Sequence, residues 1–239
     1  MKREFLFSFY ETPHGKILQK LERDYLRRSI TVSCKQTILQ LGHLGWEDEF
    51  IDCSFFQKFH ILDTQGKGSN KAIRIFAKSH TLPIQSETVD LVIVPHLLEF
   101  DAHRFQTMRE IERVLKAEGE VIILNFNPLS LWVRLQFLWN IKMSNTWKGH
   151  FIFRARILDW LKLLNFEMTT SSEITLNSIV STPGQFKLRK QTFFSMSYAV
   201  RAIKRQYTLI PLSPIKIRPR PIAAVAGSLK SILRIIKHD

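Results

Sequence analysis

The stretch from Leu82 to Trp132 limits the fold more than any other part of the chain. An apolar run, Val89–Val94, ends at Pro95-His96 and is followed by an amphipathic segment, Arg104–Leu115. A Glu118-Gly119 turn then leads into a second apolar run, Val121–Phe126. Strand, helix, turn and strand in that order form a βαβ unit, and such units build parallel sheets covered on both faces. Ligands of these sheets bind at the carboxyl ends of the strands. Those ends here carry Pro95, His96, Glu99 and Asn125-Phe126-Asn127-Pro128.

The rest of the chain continues the pattern. Gly15–Ser29 reads as a helix with Ile17, Leu18, Leu21, Tyr25 and Leu26 on one face and the Lys, Arg and Glu residues opposite. Thr37–Leu41, Phe59–Leu62 and Ile73–Phe76 are short apolar strands, and Phe166–Thr170 and Phe193–Ala199 supply two more. Ser130–Leu138 and Ala155–Leu164 read as helices, and Phe105, Met108, Ile111, Val114 and Leu115 form a stripe that packs on the sheet. The expected fold is therefore α/β: a doubly wound, mostly parallel sheet of seven strands within residues 1–207. A chain of 239 residues buries such a core without disulfides or metal.

The order LPIQSETVDLV, HLLEF, REIERVLKAEGE and FNPLSLW resembles the type 11 branch of the class I S-adenosylmethionine-dependent methyltransferases. The likeness extends over roughly Thr12 to Pro211 and is sharpest in a bacterial subgroup that carries the FNP-x-SLW segment. It implies a class I fold, S-adenosylmethionine as cofactor, and a helix within residues 1–30 that caps the cofactor pocket. It also implies methyl transfer to a small-molecule or lipid-like acceptor.

The resemblance places the cofactor among Gly42, His43, Gly45, Asp63, Ala77, Lys78, Pro95 and His96. A nucleotide-type site needs glycines after the first strand, where backbone and ligand approach closely, and a carboxylate after the second to accept ribose hydroxyls. Gly42 matches the first glycine of the family pattern. Gln40 replaces its acid, Leu44 and Trp46 take the second and third glycine positions, and Gly45 falls one place out of step. Asp63 lies 23 residues after Gln40 and is either the ribose carboxylate or a turn-forming Asp. Lys78 stands where the family has the adenine acid, which leaves only the backbone near Ala77–Ser79 for adenine.

His96 and Glu99 are the candidate catalytic residues. A histidine has the intrinsic pKa of a general base near neutrality, and the other reading of His96 is a hydrogen-bonding wall of the pocket. Glu99 alternatively caps the helix beginning near Ala102. Asn127 either faces the substrate or organises the turn toward Ser130, whose hydroxyl is a good N-cap. Trp132, Trp139 and Trp147 form an aromatic cleft or pack in the core. No phosphate-loop motif or HExxH is present, and the eight histidines lack metal-ligand spacing. The alternative to an enzyme is a non-catalytic binding or scaffold protein on the same fold. It is favoured if Leu44, Trp46 and Lys78 fill the pocket.

Two cysteines make no disulfide framework and point to a reduced, cytoplasmic setting. The run Phe5–Tyr10 is too short for a secretory signal, and no uncharged apolar run reaches membrane-spanning length. Of the net charge of +14, about +8 lies in Arg201–Asp239, with nine Lys/Arg against one Asp. Prolines at 211, 214, 219 and 221 make residues 208–239 a semi-rigid arm. Its basic residues sit beside Ile222, Leu229, Ile232, Leu233, Ile235 and Ile236, as an interfacial helix requires. The arm has no aromatic residue for stacking on bases, which ranks an anionic membrane, on the inner face, ahead of nucleic acid; packing back on its own domain is the other reading. At about 1 kcal/mol per basic residue near an anionic bilayer, the full chain is expected to pellet with anionic vesicles and a truncation after Tyr207 to stay in solution. Equal pelleting of the two, or none by either, would rule the membrane out.

Overall fold

The computed structural model describes residues 3–30, 36–51, 58–64, 73–135, 138, 150–176, 178–183 and 193–206. The chain divides between Gln206 and Tyr207, and the arm at 208–239 lies outside the described residues. Helices α1 (Glu4–Tyr10) and α2 (Pro13–Ser29) precede β1 (Ile38–Leu41), β2 (Phe59–Asp63), β3 (Ile73–Phe76) and β4 (Val89–Pro95). Then come α3 (Arg104–Val114), β5 (Leu115–Phe126), α4 (Arg154–Leu163), β6 (Phe166–Thr175), β7 (Ile179–Pro183) and β8 (Ser195–Lys204). Residues 131–135 are helical.

The strands form one sheet in the order β3-β2-β1-β4-β5-β8-β6-β7. The first five are parallel, whereas β8 runs antiparallel between β5 and β6. The order reverses at β1 and β4, and that crevice is where ligands of open α/β sheets bind. Eight strands are present among the described residues where seven were expected. The extra one, β7, pairs antiparallel with β6 across Thr170–Ile174 and forms a hairpin at the sheet's end. Its stretch, IVSTP, is short and mixed, so its pairing rests on β6 rather than on an apolar pattern of its own.

Period-2 alternation divides the core into two layers. Ile38, Ile61, Leu91, Ile93, Ile122, Leu124 and Phe126 face α1 and α2. Leu39, Leu62, Val92, Val94, Val121 and Ile123 face α3 and α4, meeting Met108, Ile111, Ile157 and Leu161. The turn expected at Glu118-Gly119 is a bulge inside β5. Between its pairings with Val89 and Leu91 of β4, β5 passes from Leu115 to Glu120, and Glu118 is held at φ 60°.

Thr12 caps α2 by accepting the Gly15 N–H at 3.0 Å, and Pro13 opens the helix. At Gly15 a Cβ would lie 1.8 Å from the Phe9 carbonyl oxygen, so only glycine lets α1 fold back onto α2. Two positions on α2 depart from the expected face: Ile17 is exposed and Glu22 is fully buried. The reason lies at the strand ends, described below.

On the opposite layer, the Tyr198 hydroxyl donates to the Ile152 carbonyl at 2.7 Å and accepts from Asn125 Nδ2 at 3.2 Å, with Tyr198 and Asn125 fully buried. That pair ties the segment leading into α4 to β5 and β8. Tyr198→Phe strips the amide and the carbonyl of their partner and is expected to cost about 2 kcal/mol in urea unfolding. An unchanged midpoint would contradict it.

Candidate functional site

The carboxyl ends of β1, β2, β4 and β5 meet at one buried polar region. After β1 the chain turns through Gly42 (φ 86°) and Gly45 (φ 93°), a left-handed conformation that glycine adopts without strain. A Cβ on Gly45 would meet nothing within 4 Å, so that position needs glycine for its dihedral alone. At Gly42 a Cβ would lie 2.3 Å from Nη1 of Arg3. The N-terminal guanidinium therefore sits directly on the glycine backbone.

Arg3 is 2% exposed. Its Nη1 donates to the His43 carbonyl at 2.8 Å and its Nη2 to the Pro95 carbonyl at 2.7 Å, while Asp63 Oδ2 lies 3.8 Å from Nη1. Burial pushes the guanidinium below its ordinary pKa, against the pull of Asp63. Arg3 Nε, Gln40 Oε1 and Trp46 Nε1 are buried with no hydrogen-bond partner among the described residues.

Glu47 holds the loop from within. Fully buried, it accepts from the backbone N–H groups of Leu44 and Gly45 and from Gln40 Nε2 at 3.0 Å. The amide at the family's acidic position is thus paired with an acid seven residues later. Asp63 makes the local turn that one of its two sequence readings expects. Its Oδ1 accepts the Thr64 N–H at 2.6 Å as a local turn, and its Oδ2 takes the His43 N–H at 3.0 Å and contacts His43 Nδ1. Phe7 of α1 stacks on the His43 ring with centroids 5.0 Å apart.

His96 follows β4 at φ 48°, a strained conformation for a side chain that costs about 1–2 kcal/mol. Its N–H donates to the Leu124 carbonyl at 2.8 Å, which anchors the turn to β5. The ring lies between two carboxylates: Nε2 is 2.9 Å from Glu22 Oε1, and Nδ1 is 3.2 Å from Glu99 Oε2. Tyr10 donates to Glu22 at 2.7 Å, and Glu99 Oε1 accepts the Phe126 N–H at 2.6 Å. All four side chains are buried. Burial alone would push His96 down, but Glu22 and Glu99 outweigh it and raise its pKa to about 9. At neutral pH the ring is an imidazolium with both nitrogens engaged, which leaves no free nitrogen to take up a proton.

Glu99 does not cap α3. Asp101 accepts the His103 N–H at 2.8 Å instead, and also takes the Ser79 hydroxyl at 2.8 Å and the Thr107 hydroxyl. Ala77 is partly buried and Lys78 exposed, both beside Ser79 on the loop after β3. Asn127 organises its turn, accepting the Leu129 N–H and donating to Ser195. The buried Ser130 hydroxyl has no partner among the described residues, so it caps nothing there. Trp132 is exposed and stacks on His14 of α2 at 4.2 Å, while Trp139 and Trp147 lie outside the described residues. Leu44 and Trp46 are buried, and Trp46 packs against Tyr10 and Phe50. Among the described residues no group of three or more His, Cys, Asp or Glu is placed to hold a metal ion, and no helix is long and apolar enough to cross a membrane.

A cavity of about 330 Å³ opens next to this region, lined by Arg104, Phe151, Ile152, Phe153, Arg156 and Trp160. Phe151 packs edge-on to Phe126, whose ring lies 4.3 Å from that of His96. Neither Arg104 nor Arg156 forms an ion pair with a carboxylate among the described residues, unlike Arg113, Arg154, Arg201 and Arg205.

Residues 60–123 match the family described as a methyltransferase domain. A methyltransferase from Archaeoglobus fulgidus superposes with a TM-score of 0.59 at 19% identity, covering 83% of this chain and 99% of that one. A Thermotoga maritima S-adenosylmethionine-dependent methyltransferase gives 0.58 at 12% identity, covering 84% and 94%. The chain shares the fold of the class I methyltransferases. Geranyl diphosphate C-methyltransferase from Streptomyces coelicolor, solved with S-adenosylhomocysteine, gives 0.55 at 12% identity over 77% of this chain and 76% of that one. The Escherichia coli protein YafS, described as uncharacterized, is 26% identical over 162 residues. That match takes in 68% of this chain but only 65% of YafS, less than two thirds of its length.

The Archaeoglobus fulgidus and Thermotoga maritima neighbours are described as S-adenosylmethionine-dependent. Two carbonyls and a carboxylate surround a seat that already holds a cation, and that cation covers the Gly42 backbone.

The charge on His96 gives this site a pH signature. Its folded pKa is raised, so its stabilisation is complete below about 6.5, the unfolded value, and is lost as pH climbs through about 9. Glu99 is also raised, by burial, which works in the same direction as it ionises. The urea midpoint is expected to fall from pH 7 to pH 10, with the His96 ring resonance titrating near 9. A ring titrating at the ordinary histidine value would contradict the two-carboxylate clamp.

Proposed function

We propose that the protein transfers a methyl group from S-adenosylmethionine to a small-molecule or lipid-like acceptor. The observation that carries this reading is the convergence of Gly42, Asp63 and the Pro95 carbonyl on one cation-holding seat at the switch point of the sheet. When bound, the cofactor supplies a methyl group already activated on a sulfonium, so the protein's task is mainly positioning.

Each residue then has a limited part. Gly42 gives the backbone room for close approach. Asp63, with both oxygens facing N–H donors, accepts hydroxyl hydrogens at the end of β2. The carbonyls of His43 and Pro95, which now accept from Arg3, would be available to the cofactor's cationic group. His96 and Glu99 hold the end of β4 rigidly and exclude water. Because the imidazolium of His96 has no free nitrogen, the acceptor must bring an atom that is nucleophilic without a protein base at this position. The aromatic cavity beside Phe126, with its two unpaired arginines, suits an acceptor with an apolar body and an anionic group.

A second reading, a non-catalytic binding protein on the same fold, is favoured by one observation: Arg3 already fills the seat. Leu44 and Trp46 do not decide between the readings, since they pack into the core, and Lys78 points to solvent. Calorimetry with S-adenosylhomocysteine separates the two. The proposal expects saturable binding that weakens about tenfold or more in Asp63→Ala. Heat equal to dilution at millimolar ligand, in wild type and in a variant lacking the Arg3 guanidinium, would favour the scaffold.

A further inference from the structure

We propose that Arg3 is a side-chain gate: its guanidinium occupies the volume above Gly42 that the cofactor must enter, and cofactor binding requires it to swing out. This inference rests on reading the site as a methyltransferase cofactor seat and adds the regulation of that seat.

Volume is the first argument. A glycine at this turn serves to let a ligand approach the backbone. Here the approach has already been made by the chain itself, since a single added carbon on Gly42 would collide with Nη1 at 2.3 Å. Ligand and guanidinium cannot share that contact.

Chemistry is the second. The guanidinium is a planar cation whose two terminal nitrogens reach carbonyls on two different loops, after β1 and at the end of β4, with Asp63 alongside. It thus meets the same acceptors that the cofactor's cationic and hydroxyl groups need. Arg3 is in effect an internal competitor for the seat.

The third argument is that the competitor, though held by two carbonyls, is not fully satisfied. Its Nε is buried with no partner among the described residues, and Asp63 stands 3.8 Å away, beyond hydrogen-bond range. A buried donor left unmet is costly, so swinging into water recovers hydration. The swing also leaves α1 in place. Phe5 and Phe9 of that helix pack edge-on against Phe126, and the close approach at Gly15 holds Phe9 independently of Arg3. Arg3 sits at the N-cap of α1, where a long side chain can change rotamer without disturbing helical hydrogen bonds.

A gate of this kind lowers affinity by the fraction of time it is open. If the seat is shut about nine-tenths of the time, apparent affinity falls about tenfold. The test is calorimetry of S-adenosylmethionine and S-adenosylhomocysteine with full-length wild type, Arg3→Gln and Arg3→Lys. Thermal unfolding of each protein confirms that the fold is retained.

Arg3→Gln is expected to bind both ligands about tenfold tighter than wild type, with Arg3→Lys in between, because one ammonium cannot span both carbonyls. A gain for S-adenosylmethionine alone would indicate plain charge repulsion by Arg3 and overturn the gate. So would equal or weaker binding by Arg3→Gln, and in either case the methyltransferase reading would stand. No binding of either ligand by any of the three proteins would overturn the gate and the functional reading together.

Discussion

His96 keeps its positive charge at a point with no solvent exposure, and it does so because glutamates from two separate segments flank its ring. Glu22 comes from α2 and Glu99 from the turn after β4; Tyr10 on α1 and the Phe126 N–H on β5 complete their hydrogen bonds. One imidazolium therefore joins two helices and the two central strands of the sheet. Removing His96 would leave two carboxylates buried without their shared cation, which is far costlier than never having buried them. The same constraint explains why a glutamate lies on the buried face of α2 and why a histidine accepts a left-handed backbone.

The polar region next to this clamp is built of carboxylates and carbonyls that face inward: Glu47 inside the glycine loop, Asp63 at the end of β2, and the His43 and Pro95 oxygens. Such a surround favours a cation and disfavours an empty space. In the protein as it stands, the cation is Arg3. The clamp and the seat share the turn at Pro95-His96, so the rigidity supplied by the glutamates also sets where the Pro95 carbonyl points. Chemistry at this site would then depend on preorganised acceptors and on the acceptor substrate's own nucleophilicity, since both ring nitrogens of His96 are already engaged.

Much of the architecture was legible before the structure. The βαβ unit, the first five strands and helices α2, α3 and α4 were all readable because burial on both faces of a sheet leaves a local apolar pattern. β7 was missed because a hairpin strand at the sheet's end needs little apolar surface. The Glu118-Gly119 turn became a bulge because β5 begins pairing with β4 sooner than its apolar run suggests. Within the site, Gly42 and Asp63 were readable from position after a strand. Glu22 had left a trace, four residues after Leu18 and three before Tyr25, which is a charge inside an apolar stripe. Arg3 left none, for its role depends on where α1 folds, and that depends on the contact at Gly15.

The sequence by itself therefore determined the order and class of the elements, the strand ends where a ligand belongs and the glycine at the first of those turns. These follow from local periodicity and local dihedral demands, which a chain carries residue by residue. The tertiary structure alone decided which charges are buried and against what: His96 between Glu22 and Glu99, Glu47 beneath the loop, Arg3 upon Gly42. Burying a charge is possible only when a distant segment delivers its partner, and no local pattern records that meeting.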